Sequence, residues 1–144
     1  MSVRYHHTQR GSLVLVMLPI AAAICAAVGY LDPPHPGRWV LWGLALMFVA
    51  TAWIFSSLTV EVTEDDVRWH FGPGLWSYRT PRTDIATTQV VRNTLLNGFG
   101  IRRRPGFRLY NVSGFDAVEL RLKSGDVRRI GTDDAQGLAA ALTS

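Results

Sequence analysis

Apolar and charged residues are distributed very unevenly along this chain of 144 residues. No Asp, Glu, Lys or Arg occurs in residues 11–31 or in residues 39–60. Neither run carries a polar stripe at helical spacing, so neither resembles an amphipathic surface helix. A helix needs about 20 consecutive apolar residues to cross the hydrocarbon core of a bilayer. The pattern therefore predicts two transmembrane helices, at 12–31 and approximately 39–58, which together form a hairpin over residues 12–57.

The connector between the two runs, residues 32–38, reads Asp-Pro-Pro-His-Pro-Gly-Arg. Three prolines and a glycine cannot continue a helix, and so short a connector makes the two helices antiparallel. A cleaved signal peptide is the less favoured interpretation, because the first run is long and a second run follows it closely. Aromatic side chains near the ends of the runs are predicted to anchor the hairpin at the membrane interface: Tyr30, Trp39, Trp42 and Trp53.

The arginines predict the orientation of the hairpin. Arg4 and Arg10 precede the first run, whereas Arg38 in the connector is balanced by Asp32. The chain beyond the second run is also rich in arginine. By the positive-inside rule, we expect residues 1–11 to form a cytoplasmic tail and both termini of this multi-pass protein to be cytoplasmic. Because the runs lack Asp, Glu, Lys and Arg, they carry no transport chemistry, and the hairpin is predicted to be an anchor.

From Leu58 onward the apolar residues recur with a period of two, as in half-buried strands. Residues 117–123, for example, alternate apolar with charged side chains. Glycine-rich turns at 72–74 and 124–126 separate such segments, and Asp133 precedes an alanine-rich stretch that favours a helix. We therefore expect residues 58–144 to form a cytoplasmic domain with a seven-stranded antiparallel barrel or sandwich capped by a C-terminal helix, giving an α+β membrane protein.

Three stretches carry a family resemblance: LTVEVTEDDVRWHFGPGLW (58–76), NGFGIRRRPGFRLYNVSGFDAVELRLKSG (97–125) and RRIGTDDAQGLAAAL (128–142). With the apolar hairpin, they resemble the bacterial membrane proteins that carry a pleckstrin-homology (PH)-like domain. The resemblance implies a PH-like barrel and a membrane location, but no reaction. PH domains that bind phosphoinositides carry basic residues in their first loop, whereas here residues 63–66 are Thr-Glu-Asp-Asp. The resemblance therefore implies no headgroup site in that loop.

A cluster of arginines beside an apolar, glycine-containing loop is the most distinctive candidate for a binding surface. Its residues are predicted to contact a partner protein or lipid: Arg92, Leu95, Leu96, Phe99, Arg102, Arg103, Arg104 and Arg108. Each arginine near an anionic membrane surface contributes about 1 kcal/mol of attraction. An acidic patch on a partner protein would attract the same residues, and a solvated loop that only enforces topology is the third interpretation.

The sequence contains no Ser-His-Asp or Cys-His arrangement, no phosphate-binding glycine motif and no metal-ligand spacing. Cys25 is the only cysteine and cannot form an intrachain disulfide. Basic and acidic residues nearly balance after residue 60, so the net charge of +4 does not indicate nucleic acid.

These observations predict a non-catalytic binding module without cofactor or metal. We expect it to be an accessory or scaffolding subunit of a larger complex in the bacterial inner membrane, with other integral membrane proteins as partners. A sensor of anionic lipid headgroups is the alternative.

Overall fold

A computed structural model describes residues 3–144. These residues form three α-helices and nine β-strands. The helices are α1 (Ser12–Leu31), α2 (Arg38–Ile54) and α3 (Ala135–Thr143). The strands are β1 (Val3–Arg10), β2 (Ser57–Thr63), β3 (Asp66–Phe71), β4 (Trp76–Pro81), β5 (Ile85–Arg92), β6 (Gly100–Arg104), β7 (Phe107–Asn111), β8 (Asp116–Leu122) and β9 (Val127–Gly131).

The strands form two sheets. The first has the order β1-β2-β3-β4 and is antiparallel throughout. The second has the order β5-β8-β9-β7-β6, and its β7 and β9 run parallel. Because β5 and β6 occupy opposite edges of the second sheet, the intervening residues 93–99 must pass from one edge to the other. We call residues 93–99 the crossing segment.

The hydrophobic core is formed by apolar side chains of both sheets together with α3. In β2 the alternate residues Leu58, Val60 and Val62 are all buried, as the period of two predicted. Trp69 stacks on Tyr78, with ring centroids 5.8 Å apart. The α3 residue Leu138 is also fully buried, so this helix completes the core that the sheets leave open.

The N-terminal residues are attached to the C-terminal helix. Residues 3–10, predicted to be a cytoplasmic tail, instead form the edge strand β1, which pairs with β2. The Tyr5 hydroxyl donates to the Asp134 carboxylate at 3.0 Å, and Asp134 accepts from the Gly137 N–H as the N-cap of α3. Burial, reinforced by the Asp134 carboxylate, raises the pKa of the Tyr5 phenol well above its usual range.

The predicted seven-stranded antiparallel barrel or sandwich is wrong. The described residues form two open sheets of four and five strands, and one strand pair is parallel. The sequence pattern missed β1 because its run of polar residues shows no apolar alternation, yet it pairs with β2 from Arg10 back to Val3. Strand pairing with a distant segment, rather than local periodicity, creates this strand.

The predicted two-helix transmembrane hairpin is also wrong. Among the described residues only α1 has the length and composition to cross a membrane, and a helix this close to the N-terminus also resembles a signal sequence. The second predicted span, 39–58, is shortened because Ser57 begins β2 and Leu58 is buried in the sheet core. The helix α2 therefore ends at Ile54 after 17 residues.

Candidate binding surface at the helix base

The two helices, which we call the helical pair, begin and end beside the first sheet. The Gly11 N–H donates to the Ser56 carbonyl at 2.8 Å, and a Cβ on Gly11 would lie 2.5 Å from the Phe55 carbonyl oxygen. Gly72, at φ +44°, is so close to α2 that a Cβ there would overlap the Ile54 carbonyl oxygen. Both positions require glycine, so backbone contact joins the sheets to the base of the helical pair.

The helical pair exposes large apolar side chains and buries small ones. Ala22, Ala45 and Ala52 are buried where the helices meet, and Gly29 faces Leu41 and Trp42. The four predicted interface anchors, Tyr30, Trp39, Trp42 and Trp53, are all exposed on the helices. Tyr30 and Trp39 lie at the end with the connector, and Trp53 lies at the base, where its carbonyl oxygen approaches Gly72.

Two apolar loops flank the helix base. One is the β3–β4 turn, where Leu75 and Trp76 are exposed and Phe55 stacks on Trp76 with ring centroids 6.1 Å apart. The other is the crossing segment, in which Leu95 is exposed and Leu96 is 84% exposed. Both loops therefore present large apolar side chains at the level where the helices leave the sheets.

Two grooves separate the helices from the second sheet. One, of about 530 Å³, lies between the first turns of α1 and the crossing segment, and Met17, Leu95 and Phe99 contribute to its walls. The other, of about 290 Å³, is formed by both helices and the start of β6. We call this second cavity the helix-base groove; its side chains include Val14, Leu18, Thr51, Phe55, Ile101 and Arg102.

The structure divides the predicted arginine cluster. Arg102 borders the helix-base groove, and its Nε donates to the Phe99 carbonyl at 3.0 Å. Arg103 and Arg108 are cross-strand neighbours, and together with Arg104 they line a separate polar basin of about 310 Å³ beside the β8–β9 turn. Arg92 lies on β5, separated from β6 by three strands. The predicted contact residues are thus not a single patch.

Arg104 connects the crossing segment to β6. One of its terminal nitrogens donates to the Leu96 carbonyl, while its Nε is buried without a hydrogen-bond partner among the described residues. Within the described part of the chain, neither Arg102 nor Arg104 has a carboxylate within salt-bridge distance. The guanidinium groups at this end of β6 are therefore not neutralised by a carboxylate of the chain.

Asp66 holds a buried ion-pair cluster that sequence analysis missed. Its carboxylate is 0% exposed and accepts from Arg68 Nε at 2.9 Å, with Arg79 Nε at 2.5 Å and the Thr63 hydroxyl at 2.9 Å. The hydrogen bond from Arg68 outweighs burial and, with Thr63 and Arg79, holds the pKa of Asp66 below its usual value. The sequence could have indicated this ion pair, because Asp66 and Arg68 are two residues apart in a strand and therefore lie on the same face.

Glu119 forms a second cluster of this kind on β8. Its carboxylate, 4% exposed, contacts Arg121 Nε at 2.9 Å and Arg129 Nε at 2.7 Å. Burial alone would raise the pKa of Glu119, but the hydrogen bonds from the two arginines lower it overall. Arg129 also packs on the Phe107 ring and reaches Asn93 of the crossing segment. Both clusters tie the strands together and offer no open site.

Neither a family model nor a curated protein matches this sequence. Among the residues that the structure describes, no three His, Cys, Asp or Glu side chains are grouped so that they could hold a metal ion. The arrangement at the helix base can instead offer apolar surface, two grooves and guanidinium donors to a ligand or a partner.

Proposed function

We propose that this chain is a non-catalytic binding module anchored in the bacterial inner membrane by α1, the helix that is long and apolar enough to cross it. It holds the two sheets at the cytoplasmic face and serves as an accessory subunit of a larger membrane assembly. The observation that carries the proposal is the exposed apolar surface of the helical pair. Soluble monomers rarely expose contiguous apolar patches larger than a few hundred Å², and in lipid such a surface carries no penalty.

The pairing of β1 supports retention of α1 as an anchor rather than its removal as a signal sequence. Cleavage after α1 would remove β1, which precedes it and pairs with β2. It would also remove Tyr5 and His7, whose side chains contact Asp134 and Asp133 at 3.0 Å and 2.5 Å. The first sheet would lose its edge strand, and this loss supports the proposal that α1 is not cleaved off.

The charge distribution favours the cytoplasmic face for the sheets. Arg10 precedes α1 and is paired with Ser57 in the first sheet, so α1 begins at the sheets. Arg102 lies at that base too, whereas the connector carries Arg38 with Asp32. The positive-inside rule assigns the arginine-rich side to the cytoplasm.

The surface of the helical pair supports a role beside other membrane helices. Gly43 on α2 has open space in front of it, because a Cβ there would meet no atom within 4 Å. Small residues at an exposed helix surface let a second helix approach closely, and such approach drives helix association in membranes. Other integral membrane proteins are therefore the partners that we propose.

The test is fractionation of cells expressing the full chain, followed by purification in mild detergent. We expect the chain to stay in the membrane after an alkaline carbonate wash, to need detergent for release and to elute with other membrane chains. Gly43→Leu should lose those chains and remain in the membrane, while Met47→Leu, an exposed control on the same helix, should retain them. Release by carbonate contradicts the anchor, and elution of the parent chain as a lone monomer contradicts the accessory role.

A further inference from the structure

We infer that the helix-base groove binds one anionic phospholipid, with an acyl chain between the helices and β6 and the phosphate on Arg102. This inference rests on the proposed function, because it places α1 in lipid. It goes further by assigning the ligand class and the residues that recognise it. The groove lies where both helices leave the sheets, so it would open at the boundary between acyl chains and headgroups.

The apolar wall of the groove fits an acyl chain. Val14 and Leu18 come from the first turns of α1, Phe55 directly follows α2, and Ile101 comes from β6. Ligand pockets commonly measure roughly 300–1,000 Å³, and this groove, at about 290 Å³, suits one chain rather than a whole lipid. A water-soluble acidic peptide has little reason to enter a groove whose wall includes the proposed membrane helix α1, so lipid is the favoured occupant.

Arg102 is positioned to bind phosphate. Its Nε is held by the Phe99 carbonyl at 3.0 Å, which leaves the two terminal nitrogens as donors. A guanidinium group can bind phosphate through two parallel hydrogen bonds. Gly98 adopts φ +76°, and a Cβ there would lie 3.5 Å from Arg102 Nε, so the crossing segment passes directly against this side chain.

Arg104 adds a second positive charge on the same side of β6. Residues two apart in a strand share a face, so Arg102 and Arg104 point to one side and Arg103 points to the other. The Arg104 Nε is a buried donor without an acceptor among the described residues. Arg102 is the arginine of β6 that borders the helix-base groove, whereas Arg103 and Arg104 both line the separate polar basin, so Arg104 would act on a phosphate near Arg102 only through its positive field.

The test uses the full chain, reconstituted in nanodiscs that contain equal amounts of phosphatidylglycerol and phosphatidylcholine with the same acyl chains. Lipids that stay bound after transfer to detergent are counted by native mass spectrometry. We expect the parent chain to retain phosphatidylglycerol preferentially. Arg102→Gln should weaken that retention about fivefold, which corresponds to about 1 kcal/mol for one arginine at the surface. Arg103→Gln, the matched control on the opposite face, should retain phosphatidylglycerol as the parent chain does.

A second variant tests the acyl-chain part of the groove. Val14→Phe fills the groove and should reduce retention of phosphatidylglycerol although Arg102 is intact. Ile20→Phe makes the same kind of change on the exposed surface of α1 and should have no such effect. Thermal unfolding of each variant shows whether the fold is preserved.

Three outcomes would overturn the inference. They are equal retention of the two lipids by the parent chain, equal effects of Arg102→Gln and Arg103→Gln, and loss of an acidic partner protein without loss of lipid in Arg102→Gln. Each leaves the anchor of the proposed function intact. Failure of the parent chain to insert into the nanodisc would instead contradict the proposed function itself.

Discussion

The helical pair and the two sheets bury opposite kinds of residue. Trp69 in the sheets is 0% exposed, whereas Trp39 on the helical pair is 71% exposed. The helices meet through alanine and glycine, while the core of the sheets contains aromatic and branched side chains. The difference teaches that one chain packs in two ways, with large side chains inside the sheets and large side chains outside the helices.

The two regions also differ in what holds them together. Burial of apolar area from water stabilises the sheets, at roughly 25 cal/mol per Å². Ala22, Ala45 and Ala52 bury little area, so the hydrophobic effect contributes little to their contact. In lipid, close packing of small residues is sufficient to hold helices together. If α1 lies in lipid as proposed, its contact with α2 is therefore expected to depend on the membrane in a way that the sheets do not.

The largest expected effect is a loss of stability when a buried tryptophan, rather than an exposed one, is replaced by alanine. Trp69→Ala removes a ring packed against Tyr78 and Tyr110 and should lower the free energy of unfolding of the sheets by about 3–5 kcal/mol. Trp39→Ala should lower it by less than about 0.5 kcal/mol, because the side chain is exposed. Thermal unfolding of the protein in detergent, followed by near-ultraviolet circular dichroism, measures both. Equal losses of stability would remove the distinction between the two regions.

The next effect tests the surroundings of the helices. Ile24→Arg places a charge on the exposed surface near the middle of α1. In lipid this costs about 2.5–3.5 kcal/mol, so the fraction of chain that resists carbonate extraction should fall. Val90→Arg places the same charge on an exposed position of β5 and should leave that fraction unchanged. If the two variants fractionate alike, the helices are not surrounded by lipid.

The smallest effect concerns acid stability of the first sheet. Because the folded pKa of Asp66 is depressed, its ion pairs stabilise the protein above the unfolded pKa of about 3.9 and lose this effect as the pH falls through the folded pKa. Asp66→Asn should cost about 1–3 kcal/mol at neutral pH, since Arg68 and Arg79 are partly exposed and can turn to solvent.

The melting temperatures of Asp66→Asn and the parent chain should therefore converge as the solution is acidified. Melting curves recorded across the acidic range measure this convergence. Asp65→Asn, an exposed carboxylate in the same turn, is the control and should change the melting temperature little at any pH. A difference for Asp66→Asn that stays constant with pH would contradict the role of its ion pairs.

Local patterns in the sequence determined much of the secondary structure. The first apolar run predicted a helix at 12–31, and α1 has these bounds. The alternation at 117–123 predicted a strand, and β8 spans Asp116–Leu122. The C-terminal helix was also predicted, and α3 spans Ala135–Thr143 with Asp134 as its N-cap. These elements could be predicted because the residues that define them are neighbours in the chain.

Only the tertiary structure decided where α2 ends, that β1 exists and which residues meet at the helix base. Leu58 belongs to β2 rather than to α2, because its side chain is buried in the sheet core. Residues Val3–Arg10 form a strand because they pair with β2. The candidate groove joins Val14, Thr51 and Arg102, which are far apart in sequence. The sequence alone determined which segments are apolar or charged; pairing and packing between distant segments determined the site.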